Sequence, residues 1–255
     1  MKIYAWNVNG LRACHRKKGF MPFVEAHRPD VLCLQEVRAL PEQVPAEARS
    51  PRGMHPEWHP AEKKGYSGVT TFSATPPDAV VRGLDQERFD REGRVLRTDH
   101  GPVSVVNAYF PHGQRDHARL PFKTDFYRAM LAYGERLRRA GRLVVLCGDW
   151  NTAHRDIDLK NHTSNRKTSG FTEAERALLD EFESAGWVDV WRVRNPEAEV
   201  YTWWSSRAGV RARNVGWRID MFLVDPETMK RVTDAAIHPD VMGSDHCPLS
   251  LELDV

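Results

Sequence analysis

Short apolar segments recur along the chain and predict β-strands. Most are rich in β-branched residues, and several are nearly continuous in apolar side chains, a pattern typical of strands covered on both faces. The predicted strands are Lys2–Val8, Val31–Val37, Val69–Phe72, Arg94–Thr98, Val103–Phe110, Leu143–Asp149, Ile219–Val224 and Leu249–Leu253. Few helical segments lie between them, which favours two sheets packed on each other with helices outside.

Two segments place apolar residues at helical spacing. Between Phe122 and Leu137 the apolar side chains step by three and four, and Gly141 follows as a stop signal. Thr172 and Glu175 form a capping box before a second amphipathic segment, which a glycine ends. Both segments are therefore predicted to be helices that cover a sheet.

The chain shows no sign of division into separate parts. It has no internal repeat, and no long Gly/Ser-rich linker interrupts it. The segment Ala39–Lys64 is rich in Pro, Glu and Arg and predicts a surface excursion. We therefore expect residues 1–255 to form one domain.

Polar residues follow the apolar segments at the points where the predicted strands end. A packed pair of sheets can gather such strand ends at one rim. Each residue alone has an ordinary explanation as a turn former, helix cap or solvated side chain. Together they favour a site, because carboxylates beside apolar strands need a cation or a partner. The set is Asn7, Asn9, Glu36, Tyr109, Asp149, Asn151, Asp220, Asp245 and His246.

The chemistry of this set points to hydrolysis. No Ser or Cys lies in a recognisable nucleophile elbow, and HExxH, Walker A and GxGxxG motifs are absent. Carboxylate and amide oxygens with a single His favour Mg²⁺ or Mn²⁺ over zinc. A hard cation beside an Asp–His pair suits attack of water on a phosphate ester.

Composition sets limits on this interpretation. The 37 Lys and Arg residues and 35 Asp and Glu residues give a net charge of +2, so a nucleic-acid surface must be a local basic face. Hydrophobic residues are 41% and charged residues 28%, which is typical of a globular protein. The four cysteines form no CxxC pair and are expected to be buried, reduced thiols.

Targeting signals are also missing from the sequence. No apolar run approaches the ~18 residues of a transmembrane helix. The first residues, MKIYAWNVNGLRAC, show no basic region followed by an apolar stretch, so no secretory signal is expected. We expect a cytoplasmic protein that associates with the nucleoid through DNA and does not bind membranes.

The polar segments also carry a family signature. The chain resembles the exonuclease III-like apurinic/apyrimidinic (AP) endonucleases of the endonuclease/exonuclease/phosphatase superfamily. The matching segments occur in family order and span nearly the whole chain; they are WNVNGLRA, PDVLCLQEVR, KGYSGV, NAYFPHG, GDWN, IDLKN, GFTEAER, NVGWRID and GSDHCP. The resemblance implies an α/β fold, a four-layered αββα sandwich of two packed mixed β-sheets flanked by helices.

The resemblance also implies roles for the residues at the rim. Glu36 is the principal metal carboxylate, and Asn9 replaces the Asp of some relatives, so the metal shell is less anionic. The remaining implied metal contacts are Asp149, Asn151, Asp245 and His246. The catalytic set is Tyr109, Asp149, Asn151, Asp220, Asp245 and His246, in which Asp149 activates water and Asp220 orients His246.

Contacts with the substrate follow from the same resemblance. The phosphate and DNA contacts are Asn7, Arg12, His112, Arg115, Arg207 and Arg213, and the pocket for an abasic sugar is Trp203, Trp217 and Ile219. Arg115 and Arg207 fall where loop side chains enter the duplex. His112 departs from the family pattern, because relatives have Asn or Gln there. Trp204 is expected in the core.

The implied activity is metal-dependent incision of duplex DNA 5′ to abasic sites. The products are a 3′-hydroxyl and a 5′-deoxyribose phosphate, and family members often also degrade 3′ ends and remove 3′ blocks. The expected cofactor is Mg²⁺, with Mn²⁺ as a substitute, and the expected partner of the monomer is double-stranded DNA with abasic sites or 3′ blocks. Two alternatives remain, a superfamily phosphoesterase or nuclease with another substrate and a non-catalytic DNA-binding relative.

Overall fold

The computed structural model describes residues 1–255 and contains two six-stranded sheets. The strands are β1 (Lys2–Asn7), β2 (Val31–Gln35), β3 (His55–His59), β4 (Val69–Ser73), β5 (Ala79–Arg82), β6 (Val95–His100), β7 (Val103–Tyr109), β8 (Leu143–Asp149), β9 (Val188–Asp189), β10 (Asp220–Val224), β11 (Val232–Ile237) and β12 (Leu249–Leu253). The first sheet has the order β11-β12-β1-β2-β4-β3, and the second has the order β5-β6-β7-β8-β10-β9.

Both sheets are mixed, and each contains one parallel pair of strands. The pairs β1–β2 and β7–β8 are parallel, and every other neighbouring pair of strands is antiparallel. The inner faces form one apolar cluster that joins Ile3 and Cys33 of the first sheet to Val105 and Cys147 of the second. Because carboxyl ends of parallel strands meet at one edge of a sheet, each sheet supplies a pair of adjacent strand ends.

Helices cover the outer faces of the two sheets. The α-helices are α1 (Leu11–Arg16), α2 (Phe20–His27), α3 (Ala46–Arg49), α4 (Glu87–Asp90), α5 (Leu120–Arg139), α6 (Glu173–Ser184), α7 (Val190–Arg194) and α8 (Pro226–Met229). Of these, α7 and α8 pack instead against the apolar cluster between the sheets, through Val190 and Met229. Phe20 and Phe23 of α2 pack on the outer side of β1 and β2, whereas Met130 of α5 and Phe182 of α6 pack on β7 and β8. The αββα order of layers predicted from the resemblance is confirmed.

Several elements differ from the sequence prediction. The segment Ala39–Lys64 is more than a surface excursion, because it contains edge strand β3, whose backbone pairs with β4. Strands β5, β9 and β11 and the short helices were also missed. Their sequences are short or mixed in polarity, since an edge strand is held by backbone hydrogen bonds and needs less apolar surface.

The two sheets approach closely near the ends of β2, β7 and β8. The side-chain amide of Gln35 donates to Oδ1 of Asn107 over 2.8 Å, and the amide of Asn107 donates to the carbonyl oxygen of Thr70 over 3.0 Å. Gly148 has φ +131°, and a Cβ there would lie 2.0 Å from the carbonyl oxygen of Ala108. Only glycine therefore fits beside the backbone of β7 at the position directly before Asp149.

The cysteines agree with the expectation from composition. All four cysteines are buried free thiols, and none forms a disulfide. The longest helix, α5, is amphipathic, and none of the helices combines the length and the apolar character that a membrane span requires.

Candidate active site

The topology places the predicted polar residues at one rim of the sandwich. Asn7 ends β1 and Glu36 follows β2, while Tyr109 ends β7 and Asp149 ends β8. Strand β10 runs antiparallel to β8, so its first residue, Asp220, pairs in register with Asp149. Both sheets therefore contribute to one group of side chains.

Three residues of this rim have left-handed backbone conformations immediately beyond the strands. The φ angles are +43° for Asn9, +52° for Glu36 and +51° for Asn151. Asn tolerates this region, but Glu rarely adopts it. Backbone strain of this kind concentrates at functional sites, so the conformation of Glu36 supports a functional role for this rim.

Asp149 is buried and receives several hydrogen bonds. The side-chain amide of Asn7 donates to Oδ2 of Asp149 over 2.8 Å and to Oε2 of Glu36 over 3.1 Å. The backbone N–H of Asn151 donates to Oδ1 of Asp149 over 2.8 Å. Burial and the charge of Asp220 raise the pKa of Asp149 to about 7, although these hydrogen bonds and His246 act in the opposite direction. Asp149 is thus suited to accept a proton near neutral pH.

His246 lies between two carboxylates. Its Nδ1 is 2.9 Å from Oδ2 of Asp220, and its Nε2 is 3.9 Å from Oδ2 of Asp149. Burial alone would lower the pKa of His246, but the charge of Asp220, the hydrogen bond to it and the charges of Asp149 and Asp245 raise the pKa to about 10. The structure therefore favours a cationic imidazole whose orientation is fixed by Asp220.

Asp245 and Glu36 present carboxylate oxygens on the same rim. Asp245 accepts hydrogen bonds from the side-chain amide of Asn9 over 2.9 Å and from the indole N–H of Trp203 over 3.1 Å. Burial would raise the pKa of Asp245, but His246 and these hydrogen bonds lower it, so the carboxylate is held ionised. Glu36 is partly exposed and forms an ion pair with Arg38.

The donor set fits a hard divalent cation. The available ligands are carboxylate and amide oxygens, and no cysteine lies among them. Ligand atoms of Asp149, Asp220 and His246 lie within 4.8 Å of one another. However, Asp220 and His246 are already hydrogen-bonded to each other. Glu36 and Asp245 therefore remain the better candidates for a cation, which would compete with Arg38 for Glu36.

These residues open into a cleft of about 280 Å³. The cleft is lined by Asn9, Glu36, Arg38, Tyr109, His112, Asp149, Asn151, Thr168, Ser169, Gly170, Trp203, Trp217, Ile219, Asp245 and His246. Asn7 and Asp220 are fully buried and support the lining residues from below. The segment Thr168–Gly170 forms part of the wall and was not among the predicted site residues. Its sequence signals were its position directly before the capping box of α6 and, for Gly170, the matching segment GFTEAER.

The apolar part of the cleft contains the three residues predicted for the sugar pocket. The rings of Trp203 and Trp217 meet edge to face with centroids 6.2 Å apart. Their backbones exchange two hydrogen bonds of 2.9 Å, and Ile219 packs in the same apolar cluster. Trp204 is buried outside the cleft, and its indole N–H donates to Asn214. The adjacent tryptophans thus have different environments, as the sequence analysis expected.

His112 lies in the cleft lining in a defined tautomer. The backbone N–H of Gln114 donates to its Nδ1 over 2.9 Å, so Nδ1 is an acceptor and Nε2 carries the proton of the neutral ring. Although the residue reaches solvent, burial of the ring and the charge of Lys123 lower its pKa. His112 is therefore a neutral hydrogen-bond donor.

The remaining predicted DNA contacts lie outside this cleft. Arg12, Arg115, Arg207 and Arg213 are all exposed and do not line it. Arg211 differs from them, because its guanidinium donates to the carbonyl oxygens of Ser244, Pro239 and Val241.

A buried ion pair behind the cleft was not predicted. Lys123 donates to the carbonyl oxygen of Asn151 over 2.7 Å and to Glu175 over 2.8 Å, and both charged side chains are completely buried. Glu175 in turn accepts from the backbone N–H of Gly170 over 2.8 Å. The pair therefore connects α5 and α6 to the wall of the cleft, and its only sequence signal was the capping-box role of Glu175.

Two packed mixed sheets with carboxylate, amide and imidazole groups gathered at one rim are typical of a two-sheet phosphoesterase, a class of hydrolase. The sequence profile described as the Endonuclease/Exonuclease/phosphatase family matches residues 4–246. The chain belongs to this family, and within it to the exonuclease III-like AP endonucleases, a group of DNA-repair nucleases.

Individual relatives agree with this assignment. The chain is 42% identical over 256 residues to an exodeoxyribonuclease of Bacillus subtilis, and the match covers 100% of both proteins. The structure of an AP endonuclease from Archaeoglobus fulgidus superposes with a TM-score of 0.90 at 30% identity, covering 100% of both chains. The structure of a 3′ phosphatase from Neisseria bound to product DNA hairpin gives a TM-score of 0.90 at 29% identity, again over 100% of both chains.

Proposed function

We propose that this chain is a metal-dependent phosphodiesterase that incises duplex DNA on the 5′ side of abasic sites. The products are a 3′-hydroxyl and a 5′-deoxyribose phosphate. The main support for this proposal is that Asp149 lines the same cleft as the apolar wall of Trp203, Trp217 and Ile219. The carboxylate of Asp149 has a pKa of about 7. Proton transfer and recognition of a sugar without a base can therefore occur side by side.

Asp149 acts as the general base for the attacking water. Its Oδ2 accepts from Asn7, and its Oδ1 accepts from the backbone of Asn151, so the carboxylate has a fixed orientation. The side-chain amide of Asn151 donates to the carbonyl oxygen of Phe110 over 2.9 Å, which holds it beside Asp149. A base that is oriented in advance loses little entropy when water binds.

His246 and Tyr109 hold the scissile phosphate. The imidazolium of His246 offers its Nε2–H to a phosphate oxygen, and its charge offsets the charge that develops there. Tyr109 lines the same cleft, and its phenol is neutral because burial and the charges of Glu36 and Asp149 raise its pKa. A neutral phenol retains the proton that it needs as a donor.

The residues proposed to hold the cation are Glu36 and Asp245, with Asn9, Asp149, Asn151 and His246 around them. Mg²⁺, or Mn²⁺ in its place, would offset charge on the phosphate and stabilise the leaving oxygen. Asp245 is well placed beside His246, because Asn9 and Trp203 fix both of its oxygens.

The apolar wall selects the substrate. An abasic nucleotide has no base to stack or pair, so its extrusion from the duplex costs less than that of an intact nucleotide. Trp203, Trp217 and Ile219 then accept a bare deoxyribose and exclude a base by size. The phosphates that flank the abasic site are contacted by neutral His112 and by the exposed side chains of Arg12, Arg115, Arg207 and Arg213. Residues 1–255 act as one domain, and the protein acts as a monomer.

The same cleft suits processing of 3′ ends. A relative is named an exodeoxyribonuclease, and a structural neighbour is named a 3′ phosphatase bound to product DNA hairpin. We propose 3′→5′ exonuclease and 3′-phosphodiesterase activities in addition to incision. The nucleophile, the cation and the phosphate contacts are unchanged, and only the group on the 3′ side differs.

The test uses a duplex with one tetrahydrofuran abasic analogue, which does not undergo β-elimination. We expect incision 5′ to the analogue with Mg²⁺ and none with EDTA. Undamaged duplex, 3′-phosphate duplex and soluble phosphomonoesters are compared at equal concentrations. Preference for soluble phosphoesters would favour another superfamily activity, and binding without turnover in Mg²⁺ would favour a non-catalytic DNA-binding protein.

A further inference from the structure

Arg94 is buried directly beneath the partly exposed Tyr109. Its side chain is 2% exposed, and its guanidinium carbon lies 4.8 Å from the centroid of the Tyr109 ring. Its Nη1 also donates to the carbonyl oxygen of Tyr109 over 2.9 Å, and the backbone N–H of Tyr109 donates to the carbonyl oxygen of Arg94 over 2.8 Å. The residue therefore contacts both the ring face and the backbone of Tyr109.

A clamp of three side chains holds the Arg94 guanidinium in place; the clamp consists of Tyr66, Glu92 and Arg119. Nε of Arg94 donates to Glu92 over 2.6 Å, and Nη2 donates to the hydroxyl of Tyr66 over 2.9 Å. Arg119 joins the clamp through hydrogen bonds of 2.6 Å to Tyr66 and 2.7 Å to Glu92. Each of the three nitrogens of Arg94 thus has a partner, and the plane of the guanidinium is fixed.

A cation on the face of a phenol ring has two effects. It is attracted by the ring quadrupole, so the ring is held against rotation. It also draws electron density from the ring and makes the hydroxyl a stronger hydrogen-bond donor. Both effects apply to Tyr109, because the guanidinium of Arg94 is fixed over its ring, 4.8 Å from the centroid.

We propose that Arg94 is a positioning residue for Tyr109, which fixes the ring and strengthens its hydroxyl as a donor to the phosphate oxygen in the transition state. This inference rests on the proposed phosphodiesterase function. A donor that is fixed in advance and strengthened contributes most where negative charge develops, so the effect belongs to kcat rather than to KM.

The test is a double-mutant cycle on the tetrahydrofuran duplex in Mg²⁺ with Arg94→Gln, Tyr109→Phe and the double variant. We expect Arg94→Gln to lower kcat by about tenfold and to leave KM within about twofold, because a buried cation–π contact is lost. In the Tyr109→Phe background, Arg94→Gln should change kcat less than about twofold, since the hydroxyl is already gone.

Two further variants separate positioning from general loss of structure. Arg94→Lys keeps the charge beneath the ring and should restore part of kcat. Arg88→Gln is the matched control, because Arg88 also stacks on an aromatic ring, Phe89, at 4.5 Å and pairs with Asp125, but on the surface away from the cleft. It should leave kcat unchanged. Glu92 keeps Arg119 as a partner when Arg94 is replaced, so the fold is expected to persist, and thermal unfolding checks this.

The outcomes distinguish the inference from the function on which it rests. Equal losses of kcat from Arg94→Gln in both backgrounds, or a loss confined to KM, would overturn the role of Arg94 while leaving the phosphodiesterase activity established. Wild-type kcat in Arg94→Gln would overturn it as well. If Tyr109→Phe itself had no effect, the proposed role of Tyr109 would be wrong and the inference would fail with it. If no duplex were cleaved at all, the proposed function would fail first.

Discussion

Nδ1 of His246 lies 2.9 Å from Oδ2 of Asp220, in a part of the rim where both side chains are buried. The other oxygen of Asp220, Oδ1, is buried and has no hydrogen-bond partner within the protein. The imidazole is therefore the main compensation for the charge of Asp220, and Asp220 fixes which nitrogen of His246 faces the cleft. Removing Asp220 should therefore remove the largest contribution that favours the cationic form of His246.

His246→Ala is expected to lower kcat by at least about a thousandfold, because it removes a charged donor to the phosphate in the transition state. Asp220→Ala should cause a large loss by itself but little further loss in the His246→Ala background, since Asp220 acts through the imidazole. Steady-state kinetics on abasic duplex measure both effects. Independent, multiplicative losses would contradict the proposed pairing.

Asp149→Asn is expected to lower kcat by orders of magnitude while DNA binding stays within a few-fold of the wild type. The amide keeps the shape of the side chain but accepts no proton from water. Single-turnover kinetics and fluorescence anisotropy with abasic duplex give the two quantities. The control is Asp156→Asn, because Asp156 is a partly exposed aspartate outside the cleft lining. Near-normal turnover in Asp149→Asn would exclude it as the base.

The polar side chains of the candidate active site could be predicted from the sequence because they follow the apolar segments. Asn7, Glu36, Tyr109 and Asp149 each lie at or directly after the end of a largely apolar strand, so the sandwich topology brings them together. Arg94 was different. It precedes an apolar strand in the sequence, and nothing in that position indicates that its guanidinium turns beneath Tyr109.

The elements that sequence analysis missed share a physical cause. Strand β11, Val232–Ile237, lies at a sheet edge with two consecutive exposed residues, so its apolar pattern is too weak for detection. The buried pair of Lys123 and Glu175 lies in two helices 52 residues apart, and each residue alone has the sequence pattern of a solvated helix position. Such contacts depend on how the elements pack and have no local signature.

Removal of divalent metal is expected to abolish incision, and added Mg²⁺ should restore it. The reason is the set of oxygen ligands around Glu36, with no cysteine among them. Glu36→Gln should raise the Mg²⁺ concentration for half-maximal activity, whereas Glu62→Gln, at an exposed glutamate, should not. Full incision in EDTA, with metal shown to be absent by elemental analysis, would make the metal assignment wrong.

Asp158 should make the free energy of unfolding depend on pH in the acid range. Burial would raise its pKa, but the charge and hydrogen bond of Arg218 and the charge of Arg192 lower the pKa to about 2. The folded-state pKa lies below the unfolded value, so this carboxylate stabilises the fold above about pH 4 and loses that contribution as the pH falls towards 2. The difference of almost two units between the unfolded-state and folded-state pKa values of Asp158 corresponds to about 2.5 kcal/mol in the free energy of unfolding.

Asp158→Asn is expected to lower the free energy of unfolding at pH 7 by about 3–5 kcal/mol, because it leaves buried Arg218 with one carboxylate partner instead of two. The variant should also show a shallower decrease in stability between about pH 4 and pH 2. Urea unfolding across this range gives both values. Asp156→Asn, at a more exposed ion pair two residues away, should cost less than about 1 kcal/mol. If Asp158→Asn and Asp156→Asn lowered the free energy of unfolding equally, the buried ion pairs of Asp158 would contribute no more to stability than the exposed ion pair of Asp156.

Trp217→Ala is expected to lower kcat/KM for abasic duplex more than about tenfold and to weaken discrimination against undamaged duplex. Trp217 is only partly buried, and its ring faces Trp203 and Phe171 edge to face in the wall of the cleft. Its removal enlarges the pocket, so a nucleotide with a base is excluded less strongly by size. The change in the ratio of kcat/KM between abasic and undamaged duplex is therefore the readout that a role in packing alone would not produce.

The matched control is Trp58→Ala. Trp58 is also partly buried and meets Phe72 edge to face at 6.0 Å, but it lies in edge strand β3 and does not line the cleft. Both variants should lose a similar amount of thermal stability, because both truncate a half-buried indole that packs on an aromatic ring. Only Trp217→Ala should change the ratio of kcat/KM between abasic and undamaged duplex. If the two variants kept the same ratio, Trp217 would be part of the packing alone, and the basis of substrate selection would have to lie in the exposed arginines.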